Sequence, residues 1–162
     1  MREGLWINYK TGKTFPIHEH EQWLRGKGNA KKLGVPPKVI SAFKKFKPGG
    51  DRDKFLLFVM KNAPVMRVRG HGQSVSFEYS SRNRHDPMDA IWMWGQRNAG
   101  PFTHLYIVNF ATRESTQMFW QEFEENMEKG GAQAVMRAAS TEKFEIQDSI
   151  SKEMASLRRR LR

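Results

Sequence analysis

The chain has no cysteine among its 162 residues, which removes disulfide scaffolds, thiolate zinc sites and cysteine nucleophiles together and fits a reducing compartment. It has no apolar run near the roughly 18 residues needed to cross a bilayer, and its start, Met-Arg-Glu-Gly-Leu-Trp, lacks the apolar stretch of a signal peptide. The expectation is a soluble, cytoplasmic protein with no membrane span. No His-Glu-x-x-His, zinc-finger, EF-hand, serine-elbow or dinucleotide glycine pattern occurs, and Lys10-Thr-Gly-Lys-Thr14 lacks the spaced glycines of a phosphate loop. His18 and His20 are separated by one residue, with Glu19 or Glu21 the nearest third ligand. A solvated helix start is the simpler account, so no metal or cofactor is expected.

Acidic residues are scarce where basic ones are dense. The chain carries 28 Lys and Arg against 17 Asp and Glu, a formal charge of +11. Residues 1–81 hold 16 basic and 6 acidic groups, whereas residues 82–162 hold 12 and 11. From Gln22 to Gly50 there are eight basic residues, Arg25, Lys27, Lys31, Lys32, Lys38, Lys44, Lys45 and Lys47, and no acidic one. Such a field attracts polyanions, nucleic acid foremost, with an anionic membrane surface or an acidic protein as rivals. Lysines that only solubilise a helical face are the plainer alternative.

Hydrophobic patterning gives the elements. Leu5 to Ile17 reads as a hairpin turning at Gly12, with Pro16 marking an edge strand. His18 to Arg25 reads as a short helix. Pro36-Pro37 opens an amphipathic helix with Val39, Ile40, Phe43 and Phe46 on one stripe, and Asp51 caps a second, well-buried helix through Phe55, Leu56 and Val59. Met66 to Tyr79 alternates apolar and polar residues about a Gly-His-Gly-Gln turn, the mark of a second hairpin. With His71 and Gly72 at its tip, Arg69 faces Ser74, Val68 faces Val75, Arg67 faces Ser76 and Met66 faces Phe77, and every pair matches in polarity.

Asp86-Pro87 starts a helix over Met88 to Asn98, apolar almost all round and expected to pack on more than one side. Phe102 to Phe110 is expected to be a central strand covered by helices on both faces. Thr112 is expected to cap a long helix burying Met118, Phe119, Phe123 and Met127, ending at Gly130-Gly131, with a short helix over Ala132 to Ala139. Ser140 or Thr141 then starts a last helix in which Ile146, Ile150, Met154, Leu157 and Leu161 form a thin apolar stripe before the basic end Arg158 to Arg162. The sum is an α+β fold: a mostly antiparallel sheet of about five strands, two hairpins plus a central strand, packed by helices. Residues 1–139 form one domain and 140–162 a C-terminal amphipathic helix able to pair a homodimer.

The residues that suggest chemistry lie on the second hairpin and the central strand. Arg67, Arg69, Ser74 and Ser76 share one face and suit an anion. If the central strand pairs beside this hairpin, His71 and His104 join them, and two histidines with two arginines could cleave RNA without a metal. In element order and residue types the chain resembles, in outline, small ribonucleases of the barnase and RelE kind. No diagnostic motif matches residue by residue, so no family follows. The leading expectation is a basic nucleic-acid-binding protein, for RNA or DNA. It holds the backbone through Lys31, Lys32, Lys38, Lys44, Lys45, Lys47, Arg67, Arg69, Ser74, Ser76, Arg82 and Arg84, with Trp6, Tyr9, Trp23 and Tyr79 as stacking candidates. The alternatives are a metal-independent ribonuclease using His71 and His104, and a non-catalytic inhibitor or assembly protein that binds an acidic protein partner.

Overall fold

A computed structural model describes residues 4–16, 33–43 and 52–145. These form β1 (Leu5–Asn8), β2 (Thr14–Pro16), α1 (Pro37–Phe43), α2 (Arg52–Asn62), β3 (Val65–His71), β4 (Ser74–Tyr79), α3 (Met88–Asn98), β5 (His104–Asn109), β6 (Glu114–Phe119), α4 (Trp120–Ala138) and β7 (Ser140–Lys143). The fold is α+β, with one seven-stranded sheet in the order β2-β1-β3-β4-β5-β6-β7. Every pairing is antiparallel except β4 with β5, because α3 carries the chain back before β5 begins and only a crossover of that kind permits a parallel neighbour.

The second hairpin forms in a register two residues from the expected one. Arg67 pairs with Glu78, Val68 with Phe77, Arg69 with Ser76, Gly70 with Val75 and His71 with Ser74. The tip is Gly72-Gln73, and Gly72, at φ 57, takes the first loop position, where a type II′ turn requires positive φ. His71 is therefore a strand residue. Since the side-chain period is two, the shift leaves every residue on its expected face and changes only its partner.

Alternation divides the sheet into two faces. One presents Ile7, Met66, Val68, Val75, Phe77, Tyr79, Leu105, Ile107 and Met118 to α3 and α4, which add Met88, Ile91, Trp120, Phe123, Met127 and Val135. Each such side chain contributes about 1.5–3 kcal/mol on burial. Gly95 lets the two helices approach: a Cβ there would lie 2.0 Å from Trp120 Cη2. The other face carries Trp6 and Val65, which join Leu33, Val35, Val39, Ala42 and the α2 run Leu56 to Met60 in a second core.

Several expectations need correction. Residues 114–119 are a strand, not the start of a helix at Thr112, which lies in the β5–β6 turn with Arg113 at φ 59. The helix begins at Trp120 and kinks at Gly131 (φ 68), joining the two helical pieces expected there. Residues 140–143 are an edge strand on β6, not the start of a helix; the apolar stripe that suggested the helix begins only at Ile146, and the strand hydrogen bonds available along β6 take the residues before it. α3 packs on one side, burying Met88, Ile91 and Gly95 and leaving Met93 65% exposed. β5 is central, but its buried and half-buried residues alternate, because among the described residues helices cover only one of its faces completely. The expected helices at 18–25 and beyond residue 145 lie outside the described residues, as do Phe46 and Asp51. Among the described residues no helix is long and apolar enough to cross a membrane.

Candidate functional site

Register fixes which side chains share the face opposite α3 and α4. Across β3, β4, β5 and β6 three rows cross the sheet: Arg67, Glu78, Val108 and Ser115; then Arg69, Ser76, Tyr106 and Gln117; then His71, Ser74, His104 and Phe119. The first row adjoins the core under α1 and α2. That core does not reach the other two rows, whose members are half-buried or exposed.

This end of the face carries an aromatic run. The His104 and Tyr106 rings stack with centroids 4.6 Å apart and planes at 16°, because residues i and i+2 of a strand project side by side. Phe119 stands across the strand from His104, its centroid 5.4 Å away, and is 50% exposed. Phe102, in the turn that enters β5, is 76% exposed. Two of the three most exposed large apolar side chains among the described residues thus lie at one end of the sheet.

Among the described residues of these three rows, charge is carried by three groups. Arg67 Nε and Nη2 donate to Glu78 Oε1 and Oε2 at 3.2 and 2.7 Å, and Arg69 Nε donates to Glu78 Oε1 at 2.7 Å. The Arg67 and Glu78 side chains are only 12% and 7% exposed. That pair is structural: removing one partner would strand the other charge away from water. Arg69 is 43% exposed and meets Glu78 through its Nε alone. One net positive charge results, carried where a ligand can reach it.

The expected site residues therefore divide. Arg67, Arg69, His71, Ser74, Ser76 and His104 share this face. Lys38 is exposed on α1, on the same side of the sheet. Arg82 and Arg84 lie past the far end of β4, and Arg84 is committed to Glu114 at 2.8 Å. Lys31, Lys32, Lys44, Lys45 and Lys47 lie outside the described residues, together with Arg25, Lys27, His18, His20 and Trp23. Two of the stacking candidates do not hold: Trp6 and Tyr79 are 1% and 2% exposed, committed to the two cores. Tyr9 packs half-buried against the helix-covered face.

Around Tyr79 a polar cluster joins β4, β5 and the loop between Ser80 and Asp86. Tyr79 Oη donates to the Arg84 carbonyl at 3.4 Å, and Asn109 both accepts from Ser81 N and donates to Ser81 O. Burial, and next the adjacent Tyr9, hold the Tyr79 phenol well above its ordinary pKa of 10.0. Burial and then Asp86 raise Tyr9 as well. Asp86 was expected to cap α3. It instead accepts from Ser81 Oγ, Asn83 and Lys10, and Pro87 occupies the cap position. These groups satisfy one another and act as a structural tie.

Tyr106, Gln117, Phe119 and Glu78 were not singled out from the sequence. Tyr106 was legible as the residue two beyond His104 on an expected strand. Gln117 and Phe119 required β6 to be recognised. Comparisons with protein-family models, with curated proteins and with solved structures return no match.

Proposed function

We propose that the chain binds single-stranded nucleic acid on the open end of the sheet. The observation that carries this reading is the stacked His104–Tyr106 pair with Phe119 beside it on a flat face that Arg69 borders. Flat exposed rings accept unpaired bases, each worth about 1–3 kcal/mol. Ser74, Ser76 and Gln117 supply hydrogen-bonding groups between the rings, and Arg69 supplies a cation for phosphate. A duplex hides its base faces, so single strands fit this surface better. The net charge of +11 adds a long-range field that speeds encounter.

The test is fluorescence anisotropy with labelled single-stranded and double-stranded oligonucleotides over a salt series. Preference for the single strand is expected, with log affinity falling by about 0.7 per phosphate neutralised for each unit of log salt. Indifference to strandedness and salt would remove the reading. The row His71, Ser74, His104 favours a second one, metal-independent RNA cleavage. The two histidines flank one strand, so their Cα atoms are roughly 10 Å apart at two strand spacings. An acid and a base must both reach one phosphodiester, whereas the His104 ring lies flat on Tyr106. Intact RNA after incubation in EDTA excludes cleavage and leaves binding untouched.

A further inference from the structure

Beneath the same end of the sheet, on the face that α3 covers, lies a cavity of about 620 Å³, within the range of small-molecule sites. Its floor is Val68, Gly70 and Val75, and its opposite wall is Trp94 on α3 with Ala99 just past the helix end. Gly70 creates much of the space: a Cβ built there meets nothing within 4 Å, whereas its neighbour along the strand on this face, Val68, and its cross-strand partner, Val75, both carry buried side chains. Trp94 is a fixed wall, since Phe77 meets it edge to face with centroids 5.5 Å apart.

The mouth opens at Gly72, Ser74 and Thr103. Ser74 is the register partner of both His71 and His104, and Thr103 precedes His104 in the chain. A ligand stacked along Tyr106 and His104 therefore reaches the strand ends one residue further on, about 3.3 Å along the strand, and meets the mouth once it turns round them. Two polar groups reach the cavity. Asn98 donates its amide to the Trp94 carbonyl at 2.8 Å, which leaves its oxygen as an acceptor. Thr103 Oγ1 accepts from Gly100 N at 3.0 Å, which leaves its hydroxyl proton to donate. An aromatic wall with one acceptor and one donor suits a flat heterocycle with a polar edge better than an alkyl chain.

We propose that this cavity receives one unpaired nucleobase of the strand bound on the open face, turned around the strand ends and laid against Trp94. The inference rests on the reading of the open face as a single-strand site. Its occupant follows from continuity of the mouth with the stacking row and from the chemistry of the walls.

The experiment is an abasic scan: a labelled single-stranded oligonucleotide, and the same sequence with each base removed in turn, titrated into wild type, Gly70→Leu, Asn98→Ala and Tyr106→Ala. The leucine side chain enters the cavity from its floor, and circular dichroism checks that the variant folds. In wild type, one position is expected to lose roughly 5-fold or more in affinity when its base is absent, the low end of one stacked base. Gly70→Leu is expected to bind the intact strand as weakly as wild type binds that abasic one, and to be indifferent to the base there. Tyr106→Ala is expected to weaken binding while keeping that sensitivity. Wild-type binding with no abasic position sensitive to Gly70→Leu, or to Asn98→Ala should the leucine variant fail to fold, overturns the pocket and leaves the open-face reading standing. No binding by wild type overturns both.

Discussion

The two ends of one sheet face differ in what they ask of their residues. At the end under α1 and α2, Trp6 and Val65 sit in a closed apolar core. Elsewhere on the same face, on β3, β5 and β6, Arg69, His71, His104, Tyr106 and Phe119 stand where that core, among the described residues, stops. The strands and the alternation are continuous; what changes is the covering layer. Rings at the closed end are explained by packing, whereas Tyr106 and Phe119 at the open end are not needed to fill a core. The Arg67–Glu78 pair lies on the boundary, where it seals the core with groups that tolerate partial hydration.

The boundary is where the comparison breaks most sharply. Glu78→Ala leaves Arg67, 12% exposed, without its carboxylate, and removal of one partner of such a pair costs about 3–5 kcal/mol. Urea denaturation is expected to show that loss, and a change under 1 kcal/mol would mean that the pair is no seal. A second contrast sets the filled part of the helix-covered face against its cavity. Gly95→Ala drives a Cβ to within 2.0 Å of Trp120 and is expected to cost about 1–3 kcal/mol by overpacking. Gly70→Ala meets open space and is expected to gain about 0.5–1 kcal/mol from the strand's lower preference for glycine. Equal effects of the two changes would contradict the packing described for this face.

The polar tie at the other end of β4 responds to alkali. Because the folded chain keeps the Tyr79 phenol protonated above its ordinary value of 10.0, the unfolded chain loses that proton first as pH rises. The folded state then binds more protons, so stability is intact below pH 10 and falls above it, by about 1.4 kcal/mol per pH unit at the limiting slope. Thermal melts of wild type and Tyr79→Phe between pH 9 and 11 measure the difference, and the phenylalanine variant is expected to show the shallower decline.

Much of this arrangement was readable from local pattern. Period-two alternation placed Arg67, Arg69, Ser74 and Ser76 on one face, and a register error of two residues did not disturb that. The limits of α3 followed from Asp86-Pro87 and the break after Asn98. What the apolar pattern could not supply was β6: Met118, Phe119, Phe123 and Met127 fit a helical stripe, and only pairing with the edge of β5, across the turn at 110–113, makes residues 114–119 a strand. Phe119 was consequently read as core. Glu78 was visible as a member of the polar face, but its hold on both arginines depends on the realised register. Sheet order, which places β4 beside β5 and so Ser74 beside His104, is set by tertiary packing.

The central claim is that the stacked rings at the open end make the binding surface. The affinity of Tyr106→Ala for a single-stranded oligonucleotide, measured at fixed salt beside wild type, tests it most directly. Loss of one stacked base predicts a drop of roughly 5- to 150-fold, with a melting temperature close to wild type because the ring lies outside both cores. An unchanged affinity in a folded variant would contradict it.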